Sequence, residues 1–366
     1  MRHERIVRHS GRGGGRLWVN VALAAASVLL AVLAAEGIAR LAWRATVVPS
    51  RRIPPEWRDL PRFEPGPTFL ADVTKPGTRG LVAGALFETN SAGFRGREYS
   101  RGKPPGVFRI VVIGDSWTMG WGVTLEESYA GRLERALSSQ RSDQAYEVLN
   151  MGVSGSDTYA ALARLESLGL AFDPDMFIYG WNVNDIEGPD YRGTLDKKVF
   201  RRDRFERSPF RSWAILGPRW ASLRDRFWPE RGSYVYELDD NYFHNPKAWK
   251  MMTDSVERMA LTAQKRSMCG VLQILTHPHE LGVFHPYHRY YAKIAKEAER
   301  AGLFVIPSFT EFRGHRAAEL WVGLRDDHPN AAGHELLARA LLRGLEGLPN
   351  ECWVRAEPGT RPAFGW

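Results

Sequence analysis

The stretch Ile110-Val111-Val112-Ile113-Gly114-Asp115-Ser116 constrains the fold more than any other part of the chain. Four consecutive apolar residues with no polar alternation predict a strand buried on both faces, and such strands belong to parallel sheets covered by helices. A glycine then breaks the run and a serine hydroxyl follows almost at once. In open α/β sheets ligands bind in the crevice at the carboxyl ends of the strands, so Ser116 stands where a nucleophile would be presented. By itself a Gly-Asp-Ser string is equally a turn or a helix cap. A base, an orienting acid and donors for an oxyanion have to come from elsewhere.

From Phe108 onward strand-like and helix-like segments alternate. Residues 146–151, 176–183, 270–276 and 303–307 read as further short apolar strands. Thr124-Leu125-Glu126-Glu127 has capping-box spacing ahead of an apolar stripe of Tyr129, Leu133, Ala136 and Leu137. Asp157 is placed to cap a helix carrying Leu162, Leu165 and Leu168. Gly302 is placed to end a helix over 290–301, and the last helix starts after Asn330. Five strands separated by helices, without an internal repeat, predict a parallel sheet covered on both faces with right-handed crossovers.

The far end supplies Asp326-Asp327-His328-Pro329-Asn330. A hydroxyl is a poor nucleophile at neutral pH, and His328 is the candidate to take the Ser116 proton. In an extended segment residues i and i+2 project to one side, so Asp326 can reach the His328 ring whereas Asp327 faces away; Asp327 stays the alternative acid. His334, inside the following helix, reads as a solvent-facing histidine.

Four blocks therefore stand in order: Gly114-Asp115-Ser116, Asn150-Met151-Gly152-Val153-Ser154-Gly155, residues 180–185, and residues 326–330. Through them, over about residues 107–345, the chain resembles the SGNH hydrolases, the GDSL-type esterase and lipase superfamily. The resemblance implies a three-layer α/β/α flavodoxin-like fold with a central five-stranded parallel sheet. It implies acyl transfer through an acyl-enzyme on Ser116, with no cofactor. It also implies oxyanion donors from the serine amide, a glycine amide in the second block and an asparagine side chain in the third. Gly155, in the loop before Asp157, is the expected glycine, with Gly152 shaping the turn. Asn184, followed by Asp185, is the expected asparagine, with Asn182 as a neighbouring substrate contact or turn former. Many family members carry the acid three residues before the histidine, where this chain has Arg325.

His277, His279, His285 and His288 gather after the fourth strand with Glu280. Their spacing matches no zinc pattern and Pro278 and Pro286 stiffen the loop, so it reads as substrate-facing and no metal is expected.

With 366 residues and a 44% hydrophobic fraction there is room for one sizeable α/β domain plus appendages. The net charge of +8 comes mainly from arginine, and no nucleic-acid module accompanies it. Membrane headgroups or anionic polysaccharide are the expected partners, not nucleic acid. Residues 1–16 form a basic tail, and residues 17–35 are apolar except for Asn20 and Ser27. At about 1.5 Å per residue this run approaches the ~30 Å hydrocarbon thickness. The expectation is one uncleaved transmembrane helix over 17–43, with Trp43 at its outer end and Glu36 paired to Arg40 one turn away. A signal peptide cleaved after Ala34 is the competing reading.

A large domain after a single early hydrophobic segment is translocated largely regardless of its charge, which places it outside the cytoplasmic membrane. Cys269 and Cys352 would there meet an oxidising space, either as a disulfide pinning the 346–366 tail to the core or as two thiols. Residues 44–106, rich in Pro, Gly and Arg, read as a stalk and flap. Residues 186–247 read as an insertion in which Phe210, Trp213, Leu216, Trp220, Leu223 and Phe227 recur at helical spacing around a kink at Pro218. The insertion is either a cap packed on the core or an amphipathic surface lying on a membrane or gripping a glycan.

The chain so read is a membrane-anchored serine esterase that removes, or transfers, an O-acyl group, acetyl being expected. Its substrate is an extracytoplasmic glycan or lipid, in company with polysaccharide-assembly partners. A catalytically silent glycan- or partner-binding domain is the second reading.

Overall fold

The computed structural model describes residues 14–46, 53–65, 68–141, 144–187, 210, 212–213, 220, 234–279, 281–282, 285–323 and 326–354. The chain divides into two compact units, Met1–Val47 with Asp196–Glu230, and Val48–Leu195 with Arg231–Trp366.

The larger unit is built on five parallel strands. They are β4 (Val107–Gly114), β5 (Ala145–Asn150), β6 (Met176–Trp181), β7 (Cys269–Ile274) and β8 (Phe304–Pro307), in the spatial order β5-β4-β6-β7-β8. The second strand in sequence lies outside the first and the rest follow on the other side, which is the flavodoxin-like order. Side chains alternate across the pleat, so β4 serves two cores at once. Val111 and Ile113 face a layer holding α5 (Thr158–Ser167), α7 (Pro246–Lys265), which follows the short α6 (Tyr234–Asp239), and α8 (His288–Ala301). Ile110 and Val112 face a layer holding α4 (Tyr129–Gln140) and α10 (Ala331–Glu346), which the short α9 (Phe309–Phe312) precedes in the chain. Each of these β4 side chains is fully buried, a burial that contributes roughly 1.5–3 kcal/mol apiece. The three-layer α/β/α fold expected from sequence is the fold observed.

Helix starts follow local chemistry. Asp157 accepts from Ala160 N–H at 2.7 Å and caps α5 as expected. The α4 cap differs from expectation: Ser128 Oγ, not Thr124, accepts from Gly131 N–H at 3.1 Å. Glu127 does reach back to Thr124 N–H at 2.9 Å, but that bond closes the turn before the helix. Gly302, at φ +96°, ends α8.

Cys269, the first residue of β7, is disulfide-bonded to Cys352, with a sequence separation of 83. Cys352 and Trp353 are buried against the α4/α10 layer, so the bond fixes the described part of the tail to the core. Residues 355–366 lie outside the described residues.

The segment read as stalk and flap carries structure of its own. β1 (Arg62–Phe63), β2 (Arg79–Val82) and β3 (Ala85–Glu88) form a small sheet beside α2 (Phe69–Thr74). Phe69, Val73, Val82 and Phe87 bury themselves against Met119 and Trp121, which follow Ser116 in the chain.

In the smaller unit α1 spans Gly14–Thr46 and includes an apolar stretch, Arg16–Leu41, long enough to cross a membrane. Length and composition of this kind are shared by membrane spans and signal sequences. Glu36 is buried: it accepts from Arg40 Nε at 2.8 Å, and its other oxygen accepts from Ser212 N–H at 2.9 Å and Ser212 Oγ at 2.8 Å. The Trp43 side chain and Leu216, Leu223 and Phe227 of the 210–227 stripe lie outside the described residues. Of that stripe Phe210, Trp213 and Trp220 are described, and all three are exposed.

Candidate active site

Strand β4 ends at Gly114, and Asp115 immediately caps α3 (Ser116–Met119) by accepting from Trp117 N–H at 2.9 Å. The turn is tight because two glycines lie side by side across the sheet. Gly114, at φ +152°, pairs with Gly180 of β6; a Cβ on Gly114 would meet Thr118 Oγ1 at 2.2 Å, and one on Gly180 would meet it at 2.5 Å. The space both leave holds the Thr118 hydroxyl, 2.8 Å from Tyr129 Oη. Ser116 is thereby set at the first turn of α3, at the carboxyl edge of the central strand and nearly buried.

His328 reaches it from β10 (Asp326–Pro329), which pairs with β9 (Trp321–Gly323). His328 Nε2 lies 2.9 Å from Ser116 Oγ, and His328 Nδ1 lies 2.6 Å from Asp326 Oδ1. The other Asp326 oxygen accepts from Trp121 Nε1 at 2.7 Å, and the Trp121 ring stacks on the imidazole with centroids 5.2 Å apart. Asn330 closes the turn behind. Its side-chain oxygen accepts from Ala332 and Gly333 N–H, starting α10, and its Nδ2 donates to Glu319 and Trp321 carbonyls.

Charge follows geometry. Burial pulls the His328 pKa down, but the hydrogen bond and charge of Asp326, with smaller help from Asp327 and Asp115, outweigh it and leave the imidazole above its ordinary value. Burial pushes Asp326 up, and hydrogen bonds from His328 and Trp121 more than reverse that, so its carboxyl lies below the usual range. Asp115 is different: burial dominates and pushes it up to about 6 despite the bonds from Trp117 N–H and Asn182 Nδ2.

Asp327 turns away from this line. Its Oδ2 lies 2.9 Å from His279 Nε2 and 3.9 Å from His277 Nε2. Gly155 is exposed in the loop after β5 at φ +73°, with nothing within 4 Å of where a Cβ would be. Gly152 is packed, since a Cβ there would lie 2.3 Å from Met119 N. β6 ends at Trp181, earlier than the apolar pattern suggested, and Asn182 and Asp185 form a capping box on the turn Val183–Ile186. Asn184 lies within that turn, its carboxamide oxygen buried without a hydrogen-bond partner. Among the described residues neither Gly155 nor Asn184 is hydrogen-bonded to Ser116, His328 or Asp326.

His334 corrects the sequence reading. It is fully buried, and its Nδ1 accepts from Tyr129 N–H at 3.2 Å. Burial, with Arg95 and Arg132 adding to it, lowers its pKa to about 3, so it stays neutral. Two residues escaped the sequence reading altogether. Trp121 brackets Asp326 and His328, and buried Arg95 donates to the carbonyls of Met119 (2.7 Å), Gly120 (2.8 Å) and Val123 (2.5 Å), holding the segment after α3. Both partnerships join residues far apart in sequence.

A flavodoxin-like three-layer fold with a serine, an imidazole and a carboxylate in hydrogen-bonded line at the sheet's carboxyl edge is the arrangement of the SGNH-type hydrolases. Residues 112–336 match the model of the GDSL-like Lipase/Acylhydrolase family; the chain belongs to that family and is an ester-hydrolysing enzyme. Among solved structures it is similar to TesA (16% identity, 65% of this chain and 98% of that one, TM-score 0.40). It is also similar to Axe2, an acetylxylan esterase from Geobacillus stearothermophilus (19% identity, 68% and 97%, TM-score 0.42). LAE5, an alpha/beta hydrolase from the metagenome of Lake Arreo, Spain, is a third (16% identity, 68% and 97%, TM-score 0.42). No curated protein matches the chain.

Proposed function

We propose that the chain is a membrane-anchored serine esterase in which Ser116 is the nucleophile, His328 the general base and acid, and Asp326 the orienting acid. The observation that carries this reading is the unbroken line from Ser116 Oγ through His328 to Asp326, at 2.9 and 2.6 Å. Ser116 Oγ attacks the ester carbonyl while His328 Nε2 takes its proton; the imidazolium then protonates the leaving alcohol. Water, or a sugar hydroxyl in a transfer reaction, gives its proton to His328 and resolves the acyl-enzyme. The Ser116 amide, at the first position of a helix, has no intrahelical acceptor and is free to face the oxyanion. The open amide of Gly155 and the carboxamide of Asn184 are the other donors, at the ends of the strands flanking β4.

The substrate in this reading is an O-acyl, chiefly O-acetyl, ester of a glycan or lipid outside the cytoplasm. The Cys269–Cys352 disulfide favours an oxidising compartment, and an uncleaved α1 keeps the enzyme at the membrane, where polysaccharide-assembly partners work.

The test is hydrolysis of p-nitrophenyl acetate by the full chain in detergent. Ser116→Ala is expected to lower kcat by at least about 1,000-fold without changing the circular dichroism spectrum. Equal rates would exclude Ser116 as nucleophile. Supplying an acetylated donor with a glycan acceptor, and weighing the glycan by mass spectrometry, separates transfer from hydrolysis.

A further inference from the structure

We infer that His277, His279 and Asp327 form a binding site for a divalent transition metal ion, zinc being the best fit, beside the ester site. The three donor atoms all lie within 4.8 Å of one another. Both imidazoles direct Nε2 at the same carboxylate oxygen, at 3.9 Å from His277 and 2.9 Å from His279. On a tetrahedral ion with bonds of about 2.0–2.1 Å, donor atoms stand about 3.3 Å apart, between the two spacings observed. A hydrogen bond from His279 accounts for the 2.9 Å contact, but at 3.9 Å His277 is too far from the oxygen to add a second. Two stacked rings with centroids 4.6 Å apart and planes 18° apart, both Nε2 atoms turned to one oxygen, form an arrangement that a cation explains.

The donor chemistry selects the ion. Two imidazoles and one carboxylate suit borderline metals such as zinc; calcium and magnesium prefer oxygen-only shells. Three protein ligands leave one position for water or a substrate oxygen, as in zinc sites that keep an open coordination position.

The loop is held ready. His277 N–H donates to Tyr291 Oη at 2.9 Å, Pro278 carbonyl accepts from Trp321 Nε1 at 2.8 Å, and His279 carbonyl is 2.8 Å from His285 Nδ1. Three successive residues are thus fixed through their backbone, leaving both imidazoles to point together. Spacing within the loop could not reveal the site, because the third donor comes from the other end of the domain. The site touches the chemistry on two sides: Asp327 lies between Asp326 and His328, and the His277 ring is 5.0 Å from that of Trp117, the neighbour of Ser116.

Untagged full chain in detergent, stripped with a chelator, is dialysed against micromolar zinc and its metal content measured. One zinc per chain is expected in the wild type, with the thermal midpoint raised. His279→Ala and Asp327→Asn should each lower occupancy at least tenfold and abolish the rise, while His288→Ala, a change at an exposed neighbour, should keep both. Zinc-free melting curves check that the variants fold, and the near-isosteric Asp327→Asn carries the test if His279→Ala does not. No stoichiometric zinc in the wild type, or equal zinc in Asp327→Asn, would overturn the assignment. Cobalt in place of zinc should give the intense visible absorption of a four- or five-coordinate ion; a weak octahedral spectrum would also overturn it. Ser116→Ala should bind zinc like the wild type, so failure of the esterase reading and failure of the metal site are separate results.

Discussion

Asp326 is held from both oxygens, by His328 on one and Trp121 on the other, and this bracket decides how the imidazole titrates. Because Asp326 raises the His328 pKa above its ordinary value of 6.5, the acid limb of kcat/KM, which needs neutral imidazole, is expected above pH 6.5. In Asp326→Asn burial acts without its main opponent, so that limb should move to lower pH while kcat falls by roughly 10,000-fold. The linkage has a definite sign. A histidine whose folded pKa is raised contributes stability that is full below pH 6.5 and is lost as pH rises through the folded value. Urea midpoints between pH 6 and 8, taken with chelator present, should show this trend in the wild type and lose it in Asp326→Asn. Trp121→Phe keeps a ring over His328 and removes the donor; a hydrogen bond to a charged group contributes about 1.5–3 kcal/mol, so a kcat loss of about ten-fold or more is expected.

Among the elements, the turn from β4 into α3 depends on absent side chains. Gly180→Ala would drive a methyl against the Thr118 and Tyr129 hydroxyls, and overpacking of this kind costs about 1–3 kcal/mol. Gly155→Ala meets no neighbour and pays only for its φ of +73°, about 1 kcal/mol. Denaturant titration should therefore rank Gly180→Ala as the more damaging to the fold. The strands were legible in the sequence because each is a short apolar run between breakers, and the Asp157 and Gly302 helix ends because caps act locally. Ser116, Asp326 and His328 were legible as a set because their residue types and order are distinctive. The small sheet under Trp121 was not, since Arg79–Glu88 is too short a signal in a stretch rich in Pro and Gly. Nor was the burial of His334, which α4 packed against α10 enforces. Tertiary pairings of this kind leave no period in the sequence.

For the whole molecule, α1 and the Cys269–Cys352 bond make separate demands. The wild-type chain is expected to stay in the membrane pellet after alkaline carbonate washing; release into the supernatant would exclude an integral anchor. Under the chain-entropy account a bridge of separation 83 contributes about 4–5 kcal/mol, so a reductant should lower the thermal midpoint by several degrees. The bond lies at the amino end of β7, whereas Ser116 and His328 meet at the opposite end of the sheet. Among the described residues, His328, which meets Ser116, and Asp326, which meets His328, belong to the ring of polypeptide this bond closes. A protease that cuts an exposed loop inside that ring leaves two pieces still covalently joined, and the cut shows on a gel only after reduction. Cut ahead of Asp326, the oxidised chain still holds Asp326 and His328 covalently to β7 through Cys352 and Cys269, a tie that reduction removes.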